Sequence, residues 1–159
     1  MSTPQQTMAL DAMGGDFGPE VVVPAAAAAL EELGENIEFI FFGDEARINP
    51  LLQKHEALLR VARVRHTDKM IANDEKPSVA LRTGRDSSMR LAIDAVKEGQ
   101  ADSIVSAGNT GALMATAKMV LKCLPGINRP AIASVFPTKK EDTILLALVA
   151  NLVCDAAIL

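Results

Sequence analysis

Only two cysteines occur in this 159-residue chain, and neither Cys123 nor Cys154 has CxxC spacing or a neighbouring histidine. A disulfide framework and a zinc site are both excluded as organising devices, and unpaired thiols fit a reduced, cytoplasmic setting. His55 and His66 are isolated, with no partner spacing for a metal or a general base. GxSxG and HExxH are also missing, which argues against a serine hydrolase or a zinc enzyme. Long apolar runs are scarce. The longest, residues 143–154, contains Asn151 and falls short of the ~20 residues that span a bilayer. The opening "MSTPQQT" has neither a basic nor an apolar segment, so residues 1–7 read as a flexible tail and not as a signal peptide. With a net charge of −4, nothing global attracts a nucleic acid or an anionic membrane.

Charge of one sign is also locally absent. Residues 1–46 hold nine acids and no Lys or Arg, whereas residues 103–140 hold five bases and no acid. Such asymmetry fits a local site for an anionic ligand or an acidic partner, and solvated faces produce it as well. What is abundant is apolar: 49% hydrophobic residues, enough for one core, and a single α/β domain over residues 1–159 is expected.

Short β-like segments alternate with longer α-like ones, which predicts a mainly parallel sheet between helical layers, an α/β/α architecture. Strands are expected at residues 8–12, at "IEFIFFG", at "RVARVRH", at a buried "ADSIVSAG", and at "AIASVFP" and "TILLALV". Helices are expected at residues 19–33, stopped by Gly34 and regular only from Pro24, and from an Asp44 cap to about Leu59. Two more should span residues 77–98, with a break near Gly84, and residues 111–124. A strand-to-helix unit left unfinished at Leu159 suggests the N-terminal part of a longer chain.

Ligands of open α/β sheets collect beyond the carboxyl ends of the strands. Two glycine-bearing turns fall there, "MGGDFGP" and "SAGNTG", and a third turn surrounds Ala150 and Asn151. Neither glycine turn is a GxGxxG fingerprint or a Walker loop. Each places flexible backbone before a helix, where unpaired N–H groups and the helix dipole favour an anion. Gly14, Gly15, Gly108 and Gly111 permit close backbone approach, and Asn109 and Thr110 can cap a helix or bind a ligand. A tight turn that simply needs glycine explains either loop alone. A second constellation, "KPSVALRTGRDSSMR", places Arg82 and Arg85 on one helical face, with Ser87, Ser88 and Arg90 after the break. Guanidinium forks and hydroxyls suit phosphate or a phosphopantetheine, and a solvated helix with Arg–Asp pairs accounts for the same residues.

The phrases "ALDAMGGDFGPEVVVPAA", "KPSVALRTGRDSSMRLAIDAVKEGQAD" and "SAGNTGALMATAKMVLKCLPGINRPAIA" resemble the bacterial acyl-acyl-carrier-protein:phosphate acyltransferases of phospholipid synthesis. The resemblance covers the N-terminal half of such a protein. It implies a soluble α/β/α homodimer, similar in fold to isocitrate and isopropylmalate dehydrogenases, located in the cytoplasm or peripherally at the membrane. It further implies transfer of a fatty acyl group from acyl-acyl carrier protein to inorganic phosphate, with no cofactor and no metal. The acyl phosphate would pass to a membrane glycerol-3-phosphate acyltransferase. By motif, the resemblance assigns Asp11, Asp16, Arg82, Arg90 and Asn109 to catalysis. It assigns Gly14, Gly15, Lys76, Ser87, Ser88, Gly108, Thr110, Gly111 and Asn151 to substrate or phosphate binding. Where that family resembles "LDLGANVDC" this chain has "LALVANLVC": Ala147 replaces an Asp, Val149 a Gly and Val153 an acidic residue. Two alternatives stay open: an inactive fragment that binds phosphate compounds, and an NAD enzyme of the isopropylmalate dehydrogenase type, echoed by "GDFGPE".

Overall fold

A computed structural model describes residues 5–34, 36–127, 130–139 and 141–146. They fall into two compact units that divide between residues 121 and 122.

In the first unit four parallel strands form a sheet in the order β3-β2-β1-β4: β1 (Gln6–Asp11), β2 (Ile37–Gly43), β3 (Ala62–His66) and β4 (Ser103–Ser106). β1 starts at Gln6, so two residues of the expected N-terminal tail are already paired with β2. The continuous apolar run of β2 is explained by its central place, because its side chains alternate between two covered faces. Phe39 and Phe41 pack with Leu10 beneath α1 (Pro19–Leu33), α2 (Glu45–Leu52) and α3 (Glu56–Val61). Ile40 and Phe42 pack with Ala9 on the opposite face beneath α5 (Ser88–Lys97). α4 (Pro77–Thr83) and α6 (Thr110–Leu121) complete that second layer around Met89, Ile93, Ala112 and Val120. The result is the expected three-layer α/β/α arrangement.

Local spacing explains which helical faces are buried. In α1, Val23, Ala26, Ala27 and Leu30 follow the i, i+3, i+4, i+7 pattern and are all buried. Burying Val23 and Leu30 stabilises by roughly 1.5–3 kcal/mol each. Pro24 does not delay the helix, contrary to the expectation from its ring. It sits on the exposed side, so the carbonyl of Glu20 that it leaves without an intrahelical partner lies on the solvent side of α1. Asp44 caps α2 as expected, accepting the Ala46 amide at 2.9 Å. The single helix expected to Leu59 is instead two, interrupted at residues 53–55, and the start of "RVARVRH" completes α3 before β3 begins. The break near Gly84 is real. Gly84 ends α4, and the Ser87 hydroxyl accepts the Arg90 amide to start α5.

β4 departs from expectation. Expected to be buried, it is the edge strand among the described residues, where it pairs with β1 alone, and Ser103 and Val105 are exposed. α6 starts at Thr110 and ends at Leu121, three residues before the expected stop; Lys122 follows with φ 70°. In the second unit β5 (Ala133–Pro137) and β6 (Asp142–Leu146) pair antiparallel, with Val135 opposite Ile144. No described helix is long and apolar enough to cross a membrane.

Candidate functional site

β1 and β4 lie side by side, with Asp11 in register with Ser106, so their carboxyl ends deliver both glycine turns to one place. Asp11 is 2% exposed. Its Oδ1 accepts the Ser88 hydroxyl and its Oδ2 the Ser106 hydroxyl, each at 2.6 Å. A buried carboxylate is costly unless hydrogen-bonded, and short hydroxyl–carboxylate bonds are among the stronger ones. Three elements are thereby tied at one point: the end of β1, the first turn of α5 and the end of β4.

Glycine is required here by contact. A Cβ on Gly14 would stand 2.7 Å from Asp11 Oδ2, 2.9 Å from the Gly108 nitrogen and 3.1 Å from Ser106 Oγ. Gly15 has φ +82°, and a Cβ there would meet the Ala107 carbonyl at 3.2 Å. The first turn therefore presses backbone-first onto the second. Two amides are consumed in doing so: Gly14 donates to the Asp11 carbonyl at 3.3 Å, and Gly108 donates to Ser106 Oγ at 3.1 Å.

Asn109 is the hub of the second turn. Its Oδ1 accepts the Ala112 amide at 3.0 Å, capping α6. Its Nδ2 donates to the carbonyls of Asn73 at 2.9 Å and Glu75 at 2.8 Å, fastening the segment before α4. Asn73 in turn donates to Asp16 Oδ1 at 2.7 Å. Together they enclose an open polar cleft of about 360 Å³, lined by Gly15, Asp16, Asn73 and residues 107–111. Of the first α6 amides, that of Ala112 is capped, leaving those of Thr110 and Gly111 ahead of the first intrahelical bond. Gly111 is also a packing requirement, since a Cβ would stand 3.0 Å from Pro77 Cγ.

The structure thus brings together Asp11, Gly14, Gly15, Asp16, Ser88, Gly108, Asn109, Thr110 and Gly111. It does not bring the cationic candidates to the cleft wall. Arg90 turns its Nε to both oxygens of Asp94, at 3.0 and 2.9 Å. Arg82 and Lys76 are exposed, Arg82 on α4 and Lys76 just before it. Ser87 is spent as a cap and on the Gly84 carbonyl. Asn151 and the Ala147, Val149 and Val153 positions lie outside the described residues. Two participants escaped the sequence reading. Ser106 sat within a quoted motif without a role, and Asn73 sat in an undifferentiated polar loop; only contacts across the fold distinguish them. His66 has a local task, its Nδ1 accepting the Glu45 amide at 3.3 Å.

The sequence model of a family described as "Fatty acid synthesis protein" matches residues 6–159. The chain belongs to this family. Among similar proteins, a phosphate acyltransferase of Rhodospirillum centenum is 62% identical over 149 residues, covering 94% of this chain and 42% of the relative. Phosphate acyltransferases of Beijerinckia indica and Methylocella silvestris are 55% and 57% identical over 150 residues, covering 39% and 40% of their own lengths. The chain therefore spans about two fifths of the family relatives it matches. The conjunction of Gly14 with Gly108 falls within the stretch matched by the family model.

Proposed function

We propose that this chain carries the phosphate-binding corner of an acyltransferase that moves a fatty acyl group from acyl-acyl carrier protein to inorganic phosphate. The products are acyl phosphate and free carrier, the acyl phosphate serving phospholipid synthesis. The observation that carries this reading is the contact of two glycine turns beside the open amides of α6, with Asp16 on the facing wall. The relatives' name, phosphate acyltransferase, supports the same chemistry.

Phosphate near neutral pH is anionic and still bears a proton. Its charge suits the Thr110 and Gly111 amides at the positive end of α6. Its remaining O–H can donate to Asp16, which turns an acid facing an anion from a liability into an orienting contact. The phosphate oxygen then attacks the thioester carbonyl, the C–O bond forms and the C–S bond breaks. Asp16 takes the phosphate proton, and the carrier leaves as its thiolate, to be protonated from solvent. Holding the two reactants in line contributes up to roughly 7–11 kcal/mol, so no covalent enzyme intermediate is needed. Arg82 and Arg90 belong in this reading only as outer contributors to the field.

Acyl carrier protein is acidic, and the five bases along the sequence from Lys118 to Lys140, in a stretch without acids, are the candidates for meeting such a partner. A homodimer, a cytoplasmic location and hand-over to a membrane glycerol-3-phosphate acyltransferase complete the proposal. A second reading is favoured by the aliphatic Ala147, Val149 and Val153: the chain binds phosphate compounds without turnover. One assay separates them. Palmitoyl-acyl carrier protein and phosphate are incubated with this chain and with a longer relative, palmitoyl-coenzyme A serving as control donor, and acyl phosphate is measured. Acyl phosphate from both supports the first reading. Product from the relative alone, with phosphate still bound by this chain, supports the second. Absence of both product and phosphate binding refutes the two together.

A further inference from the structure

Asp11 is buried, and among the described residues its bonded partners are two hydroxyls and no cation. A carboxylate can only accept, so it dictates where the single proton of Ser106 must point. With that proton committed to Asp11, Ser106 Oγ has only lone pairs left, and one of them takes the Gly108 amide at 3.1 Å. That amide opens the turn that ends in the two open amides of α6. We infer that Ser106 is a positioning residue for the anion corner. Backed by Asp11, it turns the Gly108 N–H into the protein and so sets the backbone that presents the Thr110 and Gly111 amides to phosphate. Gly14 lies over this link so closely that a Cβ there would stand 3.1 Å from Ser106 Oγ and 2.9 Å from the Gly108 nitrogen, which distinguishes it from an ordinary serine turn. Ser88 fixes the other oxygen of Asp11 from the first turn of α5, so the carboxylate cannot rotate to release Ser106.

The inference rests on the reading that this corner takes phosphate, and its test separates the two. Amide spectra of the ¹⁵N-labelled chain are recorded during titration with inorganic phosphate, together with hydrogen exchange at Gly108. The unsubstituted chain should show saturable shifts at Thr110 and Gly111. Ser106→Ala should weaken phosphate binding about tenfold, the scale of one lost hydrogen bond, and expose Gly108 to faster exchange. Ser106→Thr, which keeps the hydroxyl, should restore both. Ser106→Cys keeps the volume with a weaker donor and carries the comparison if the alanine variant does not fold. No saturable shift in the unsubstituted chain sinks the phosphate reading and this inference with it. Equal affinity in Ser106→Ala, or a loss that Ser106→Thr fails to rescue, overturns the inference while the phosphate reading stands.

Discussion

Adding one carbon at Gly14 tests the geometry of the corner most directly. The new Cβ would stand 2.7 Å from Asp11 Oδ2, 2.9 Å from the Gly108 nitrogen and 3.1 Å from Ser106 Oγ. None of these atoms is the free end of a flexible side chain. Asp11 is held by two hydroxyls, Ser106 by two bonds, and Gly108 is backbone. Overpacking of this kind costs about 1–3 kcal/mol. If Asp11 yields instead, a hydrogen bond to a charged group is stretched, worth about 1.5–3 kcal/mol. Against these, alanine lowers the entropy of the unfolded chain, a gain of about 0.4–1 kcal/mol. The net expectation is a destabilisation of roughly 0.5–2.5 kcal/mol, a sizeable share of the ~5–15 kcal/mol typical of a domain.

Urea unfolding followed by far-ultraviolet circular dichroism reads this as a lower midpoint at unchanged slope. Combining Gly14→Ala with Ser106→Ala removes the 3.1 Å contact, so the two losses should sum to more than the double variant shows. An unchanged midpoint in Gly14→Ala, or strictly additive losses, would refute the claim that the first turn is pressed onto the Asp11–Ser106–Gly108 chain.

The Thr116 hydroxyl is buried and finds no partner among the described residues, so Thr116→Val, nearly the same shape, should raise stability by about 1 kcal/mol in the same titration; a loss would mean that the hydroxyl is satisfied. Asn109→Ala removes the α6 cap and the fastening of the segment before α4, and should cost about 2–3 kcal/mol while hydrogen exchange quickens at residues 110–113. Exchange confined to its original rate would count against the cap. Glu20 is held below the usual carboxylate range by the Arg47 hydrogen bond, and Asp86 is held there by the hydrogen bond from Lys69. Their small contributions are present above the unfolded carboxylate value and fade as pH falls through the lowered one. Lys69, raised by the same partner, contributes below the unfolded lysine value and loses this as pH rises through the raised one. Any melting-temperature gap between the unsubstituted chain and Glu20→Gln or Asp86→Asn at neutral pH should therefore close in acid, and a gap that persists there assigns it to packing.

The layers were legible because they rest on local periodicity. The "IEFIFFG" run could only be a strand covered on both faces, and the Val23–Ala26–Ala27–Leu30 spacing could only be one face of a helix. What failed was whatever depends on the neighbour across the fold. Pro24 is harmless because its side of α1 faces solvent, a fact the helix alone does not contain. Apolar letters in "SIVS" cannot distinguish a central strand from an edge strand, since register and order lie in partners far along the chain.

The same distinction runs through the site. Glycine turns at two strand ends are visible as motifs, yet the motif does not say which of their amides stay available to a ligand. The fold spends some of them: Gly14 and Gly108 bond inward, and Asn109 is consumed by a cap and by carbonyls more than thirty residues away. Arg82 and Arg90 looked like anion clamps because guanidinium groups match phosphate, but Arg90 already has a carboxylate one helical turn away. Among the described residues the cleft lining holds an acid and no arginine or lysine, so the anion of the proposed reading would rest on the α6 dipole and two peptide amides. Such donors are fixed in direction by the backbone, so their value depends on the turn that aims them. On the proposed reading, half-buried Ser106 behind the glycines therefore weighs more than exposed Arg82 or the ion-paired Arg90.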